Sequence, residues 1–66
     1  MNEKVAGYRT IAKLTQEQLS SKLNISTVTY RKKEKGQSSF TTNEMKTIVK
    51  LVKEYIPEID VQTIFF

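Results

Sequence analysis

Apolar residues recur at three- and four-residue intervals along almost the whole chain, and only two Gly and one Pro interrupt them. That spacing places them on one face of a helix. With 66 residues and no Cys, the chain must close its core by packing alone, because neither a disulfide nor a thiolate metal site can compensate for small size. The expected fold is all-α: a compact bundle of four to five short helices forming a single domain over residues 1–66. The stretch STVTY (residues 26–30) has β-propensity, but the capping signals around it favour helix.

Those signals divide the pattern. Residues 3–13 read as a first helix with Val5, Tyr8 and Ala12 along one face, and Leu14 leads out of it. Thr15 and Gln18 have the spacing of a capping box. The second helix then carries Leu19 and Leu23 inward and stops at Asn24, which tolerates a left-handed backbone. Ile25 fills the inside of the turn. Ser26 caps a third helix that runs to about Lys35 and ends at Gly36. Thr41 and Glu44 form a second capping box, and Met45, Ile48, Leu51, Val52 and Tyr55 mark the inner stripe of a fourth helix. Pro57 forbids its extension, and Asp60 is placed to cap a last short turn.

Charge and chemistry narrow the function. There is no His and no Cys, so the usual zinc ligands, the commonest general base and a thiol nucleophile are all missing. Ser, Lys and carboxylates remain, yet no convergent acid–base pair supports a hydrolase or transferase, and no cofactor or metal is expected. The N-terminal residues contain no continuous apolar run and no segment is long enough for a membrane span, so a soluble, cytoplasmic protein is expected. The formal net charge is +4, and it is unevenly shared. Residues 1–36 hold eight Lys and Arg against three Glu, whereas residues 37–66 hold three Lys against four acids. An excess of cations in one part of a fold suits a polyanion.

The second and third helices, joined by a short turn, have the form of a helix-turn-helix unit. Ser20 supplies a small side chain where the two helices cross. The third helix exposes Thr27, Val28, Arg31, Lys32 and Lys35 on one face. A helix fits the major groove of B-form DNA with its N-terminal residues nearest the base edges. Thr27 and Val28 suit a thymine methyl, Thr27 also offers a hydroxyl, Arg31 and Lys32 suit guanine, and Lys35 suits a phosphate. The same basic run would also serve as a solvated face, or meet RNA or an acidic protein.

The stretch TQEQLSSKLNIS…YRKKEKG resembles the Cro/C1-type helix-turn-helix domain of phage repressors, the XRE family. Leu14, Thr15, Gln16, Leu19, Ile25, Ser26, Glu34 and Gly36 match that family's pattern without a gap. The likeness continues through Arg9, Met45, Ile48 and the closing DVQTIFF. It implies a lambda repressor-like DNA-binding domain that acts by occupying a double-stranded DNA operator. It further implies that Thr27, Val28 and Lys32, with Arg31 nearby, read bases. By the same resemblance Gln16, Ser38 and Ser39 hold phosphate, and Arg9 pairs with Glu34 to join the first helix to the end of the third.

Four positions depart from the family pattern: Ser20 replaces Ala, Asn24 replaces Gly, and Tyr30 and Lys33 replace aliphatic residues. At Lys33 the stem is expected to lie on the core while the amine escapes to water. The apolar C-terminus raises a further question. Tyr55, Phe65 and Phe66 form a candidate surface for a homodimer or for a partner repressor protein, whereas Ile59 and Ile64 suit ordinary core. The leading function is therefore a sequence-specific transcriptional regulator of the phage or prophage type. The alternative is an antirepressor or modulator that keeps the fold but binds a repressor.

Overall fold

A computed structural model describes residues 3–66 of the chain; residues 1 and 2 of the span expected to form one domain lie outside the described residues. It contains α1 (Glu3–Ile11), α2 (Gln16–Lys22), α3 (Thr27–Glu34), α4 (Thr42–Lys53) and α5 (Val61–Phe65). Among the described residues there is no strand, and no helix is long and apolar enough to cross a membrane.

The same local chemistry opens each of the last four helices. Thr15, Ser26, Thr41 and Asp60 sit in extended backbone at the N-caps, and each accepts from the backbone N–H three residues on. Gln18 and Glu44 close the reciprocal half of a capping box. In each case the residue before the cap and the fifth residue after that one are apolar: Leu14 with Leu19, Ile25 with Tyr30, Phe40 with Met45, Ile59 with Ile64. This is the spacing of a hydrophobic staple, which fixes the angle at which the chain enters a helix.

Three helix ends share a motif as well. Lys13, Asn24 and Gly36 take positive φ angles of 61°, 61° and 85°. Around each of them two backbone bonds close the last turn. Leu14 N–H donates to Arg9 O and Lys13 N–H to Thr10 O; Ile25 donates to Ser20 and Asn24 to Ser21; Gln37 donates to Lys32 and Gly36 to Lys33. These are Schellman caps, which satisfy carbonyls a helix end would otherwise leave orphaned. The first of them shortens α1. The expected helix over 3–13 ends at Ile11, because Lys13 adopts a left-handed conformation that its sequence does not advertise.

Packing follows from the caps. α2 lies on α3, while α5 packs on both α1 and α4, and α1 also touches α3 and α4. Val5, Leu19, Tyr30, Ile48, Val52 and Ile64 are almost wholly buried at the centre. Ile59 and Ile64 are core, as expected. Phe40, which carried no expectation, is buried too, and its ring lies 6.0 Å from Tyr30 and 5.5 Å from Phe65. The latter pair meets edge to face, the arrangement favoured by ring quadrupoles.

Two expectations about the C-terminal part change. Tyr55 does not belong to the inner stripe of α4. The helix ends at Lys53, since Ile56 precedes Pro57 and is disfavoured in helical backbone, and Ile56 takes the inward place. Phe65 also turns inward against Phe40, so it leaves the surface expected for it with Tyr55 and Phe66.

Replacing Phe40 by Ala removes one ring from this three-ring stack, and equilibrium urea unfolding should show a loss of about 3–5 kcal/mol. Gly7 should behave in the opposite sense. It lies within α1, and a Cβ added there meets nothing within 4 Å. Gly7→Ala should therefore raise stability by about 0.5–1 kcal/mol through helix propensity alone, read as a higher urea midpoint with unchanged slope.

Candidate nucleic-acid interface

α3 has two unlike faces. Tyr30 and Lys33 point into the protein, with 0% and 8% of their surface exposed. Val28, Arg31, Lys32 and Lys35 are exposed, and Thr27 is half-buried at the start of the helix. The side that carries Val28 and Lys32 is thus turned to solvent. Thr27 has its hydroxyl 3.3 Å from that of Ser20, which itself donates to Glu17 O at 2.8 Å. Ser20 is buried at the α2–α3 crossing, where a small side chain was expected. The Thr27 hydroxyl is accordingly directed at the protein, leaving its methyl as the group suited to a base edge.

Glu34, the one acid in the RKKEK run, is withdrawn from the exposed face. Its Oε2 accepts from Arg9 Nε at 2.9 Å and from the Tyr30 hydroxyl, and its Oε1 accepts from Gln16 Nε2 at 2.9 Å. Burial alone would push the Glu34 carboxyl upward, but the bonds from Arg9, Tyr30 and Gln16 outweigh it and hold the group below the usual carboxylate range. Tyr30 is pushed up by burial and by donating to that carboxylate, so it stays protonated. Arg9 also donates to Leu14 O at 2.9 Å. Burial disfavours the Arg9 charge, yet Glu34 keeps its guanidinium above the ordinary value. The larger residue at position 30 is thereby explained: its ring fills the core and its hydroxyl reaches Glu34.

Lys33 corrects a further expectation. Its amine does not escape to water; Nζ lies 2.7 Å from Glu44 Oε1 in α4, and both side chains are about nine-tenths covered. The same oxygen accepts from the backbone N–H of Thr41 at 2.8 Å. Burial would raise the Glu44 carboxyl, but Lys33 and Thr41 bring it below its normal range. One carboxylate thus caps α4 and ties it to α3, closing the loop that carries the exposed Ser38 and Ser39.

Gln16 has both ends of its amide in use. Nε2 donates to Glu34, and Oε1 accepts from Arg31 Nε at 3.0 Å. The second hydrogen on Nε2 remains for another acceptor, so these two bonds do not conflict with a phosphate contact by Gln16. In the C-terminal part of the chain Tyr55 and Phe66 are exposed, by 48% and 80%.

Among the features that sequence reasoning missed are Phe40, the Lys33–Glu44 pair and the Gln16–Arg31 bond. Phe40 had a readable signal, since an apolar residue directly before a capping Thr with Met45 five positions later is a staple. The two side-chain pairs join separate helices and left no local mark.

A family model described as Helix-turn-helix matches residues 6–59. No curated protein and no solved structure matches the chain.

Both depressed carboxyls link stability to pH. Each binds fewer protons in the folded state than in the unfolded one, so its contribution is full above the ordinary carboxylate pKa and is lost as pH falls through the folded value. Urea unfolding should show stability declining as pH is lowered below about 4.5, the value from which both are displaced. Glu44→Gln keeps the capping box but removes the charge opposite Lys33. It should cost about 1–3 kcal/mol at pH 7, with the difference from wild type narrowing in acid.

Proposed function

The chain belongs to the Cro/C1-type helix-turn-helix family of DNA-binding regulators, and from that premise we propose that it is a sequence-specific repressor of the phage or prophage type that acts by occupying an operator. The observation that carries this reading is the outer face of α3. Arg31, Lys32 and Lys35 are exposed there, while Glu34 and Lys33 are drawn inside by Arg9 and Glu44. A rod of this kind, cationic and without an outward acid, suits the major groove.

In this reading Thr27, Val28 and Lys32 face base edges. Lys35, near the C-terminal end of α3, and Ser38 and Ser39, in the loop behind it, meet phosphates. Phosphate contacts set register and supply salt-dependent affinity; base contacts discriminate. An operator contacted by two copies would carry half-sites about 34 Å apart. Of the C-terminal surface expected for a second copy or a partner repressor, Tyr55 and Phe66 are exposed. Lys33, which stands where the family carries an aliphatic residue, gives no separate support to the antirepressor alternative, because Glu44 accounts for it within the fold.

Sequence-selection binding at several salt concentrations tests the proposal. Lys32→Ala should lose about 1–3 kcal/mol of preference at one base position. Lys35→Ala should weaken all sequences alike and flatten the log–log salt slope by about 0.9. Binding with no preference over competitor DNA would refute operator reading, and a flat DNA titration at low salt alongside tight binding to a repressor would favour the alternative.

A further inference from the structure

Resting on the reading of α3 as the helix that enters the groove, we propose that Arg31 grips a DNA phosphate and does not read bases, and that Gln16 is the residue that positions it. The geometry is a chain of bonds with no free orientation. Arg9 and Tyr30 fix the Glu34 carboxylate, Glu34 Oε1 takes the amide nitrogen of Gln16, and the amide oxygen is left facing Arg31 Nε at 3.0 Å. The amide cannot be reversed, because its oxygen would then oppose a carboxylate and its NH2 a guanidinium.

This bond has two consequences for Arg31. It draws the guanidinium toward the first residue of α2, and in a helix-turn-helix docked on DNA the first helix of the unit is the one that crosses the backbone. The cation therefore lies on the phosphate side of α3, on the edge next to α2 and away from the line of Val28 and Lys32. The bond also occupies Nε and leaves the two terminal nitrogens of an exposed side chain, a planar fork that matches two oxygens of one phosphate. An arginine already held by one edge loses less freedom when it binds than a free one does. Gln16 acts through Arg31, by holding its Nε in one place.

The test measures affinity across a salt series for a selected operator and its single-base variants. The proteins are wild type, Arg31→Ala, Gln16→Met and the double variant. Arg31→Ala should weaken binding roughly tenfold or more. The factor should be the same on every operator variant, and the log–log salt slope should flatten by about 0.9. Gln16→Met should weaken wild-type binding by a smaller factor and have no further effect in the Arg31→Ala background.

Loss of discrimination at one base pair in Arg31→Ala would overturn the proposal, as would an unchanged affinity and slope. So would an undiminished effect of Gln16→Met in the Arg31→Ala background, which would mean that Gln16 touches phosphate itself. Circular-dichroism melts check folding. Arg31→Ala leaves the bonds to Glu34 in place, so it decides between phosphate and base even if Gln16→Met melts early. A wild type that binds no DNA at low salt would defeat the operator reading and this proposal with it, whereas base-specific loss in Arg31→Ala would defeat this proposal alone.

Discussion

Without the Glu34 carboxylate, donors from α1, α2 and α3 would converge on nothing. Arg9, Gln16 and Tyr30 all point at its two oxygens. The Arg9–Glu34 pair is only 16% and 9% exposed, so neither charge keeps much of its hydration. Such a pair is favourable when further hydrogen bonds satisfy what desolvation has removed, and here Gln16, Tyr30 and the Leu14 carbonyl supply them. No buried side-chain nitrogen or oxygen among the described residues lacks a partner. The position of α3 relative to α1 and α2 is thus set by directional bonds around one acid as well as by apolar contact, and directional bonds fix rotation about a helix axis where apolar contact alone tolerates slippage.

The second determinant is local. Each of the last four helices is opened by an accepting side chain and an apolar residue before it, and three helix ends are closed by a left-handed residue. Helices of five to twelve residues are too short to persist alone in water. Caps worth about 1 kcal/mol apiece lessen what the core must supply, which matters in a chain this small. Staples add to this by using one residue for two purposes. Leu14, Ile25, Phe40 and Ile59 each set a helix entry angle and also pack in or against the common core.

That division explains what was legible in the sequence. Thr15, Asn24, Ser26, Gly36, Thr41 and Asp60 act on atoms within a few residues of themselves, so helix starts and most stops could be read directly. Lys13 is the exception: lysine has no preference for positive φ, and the surrounding structure imposes it. Tyr55 was misplaced because the helical period was carried past the point where Pro57 already constrains Ile56. Lys33 and Gln16 were opaque for another reason. Their partners lie eleven and fifteen residues further along, and Glu44 in particular already had a complete local role as the third residue of a capping box. One oxygen serving a backbone N–H and a distant ammonium leaves no trace in spacing.

The RKKEK run shows why net charge is a poor guide to a binding face. Counted along the chain, residues 31–35 are four cations and an acid; counted around the helix axis, they separate. Successive residues are about 100° apart. Arg31, Lys32 and Lys35 therefore fall on the solvent side, while Lys33 and Glu34 fall beside Tyr30 and are neutralised by Glu44 and Arg9 from other helices. The acid that would have repelled a phosphate becomes the anchor of the fold, and the cation that would have been buried alone becomes a link to α4. Angular sorting of this kind leaves a positive outer surface on a helix whose inner surface is electrically closed, so the charge offered to DNA is held in place by charges that DNA does not meet.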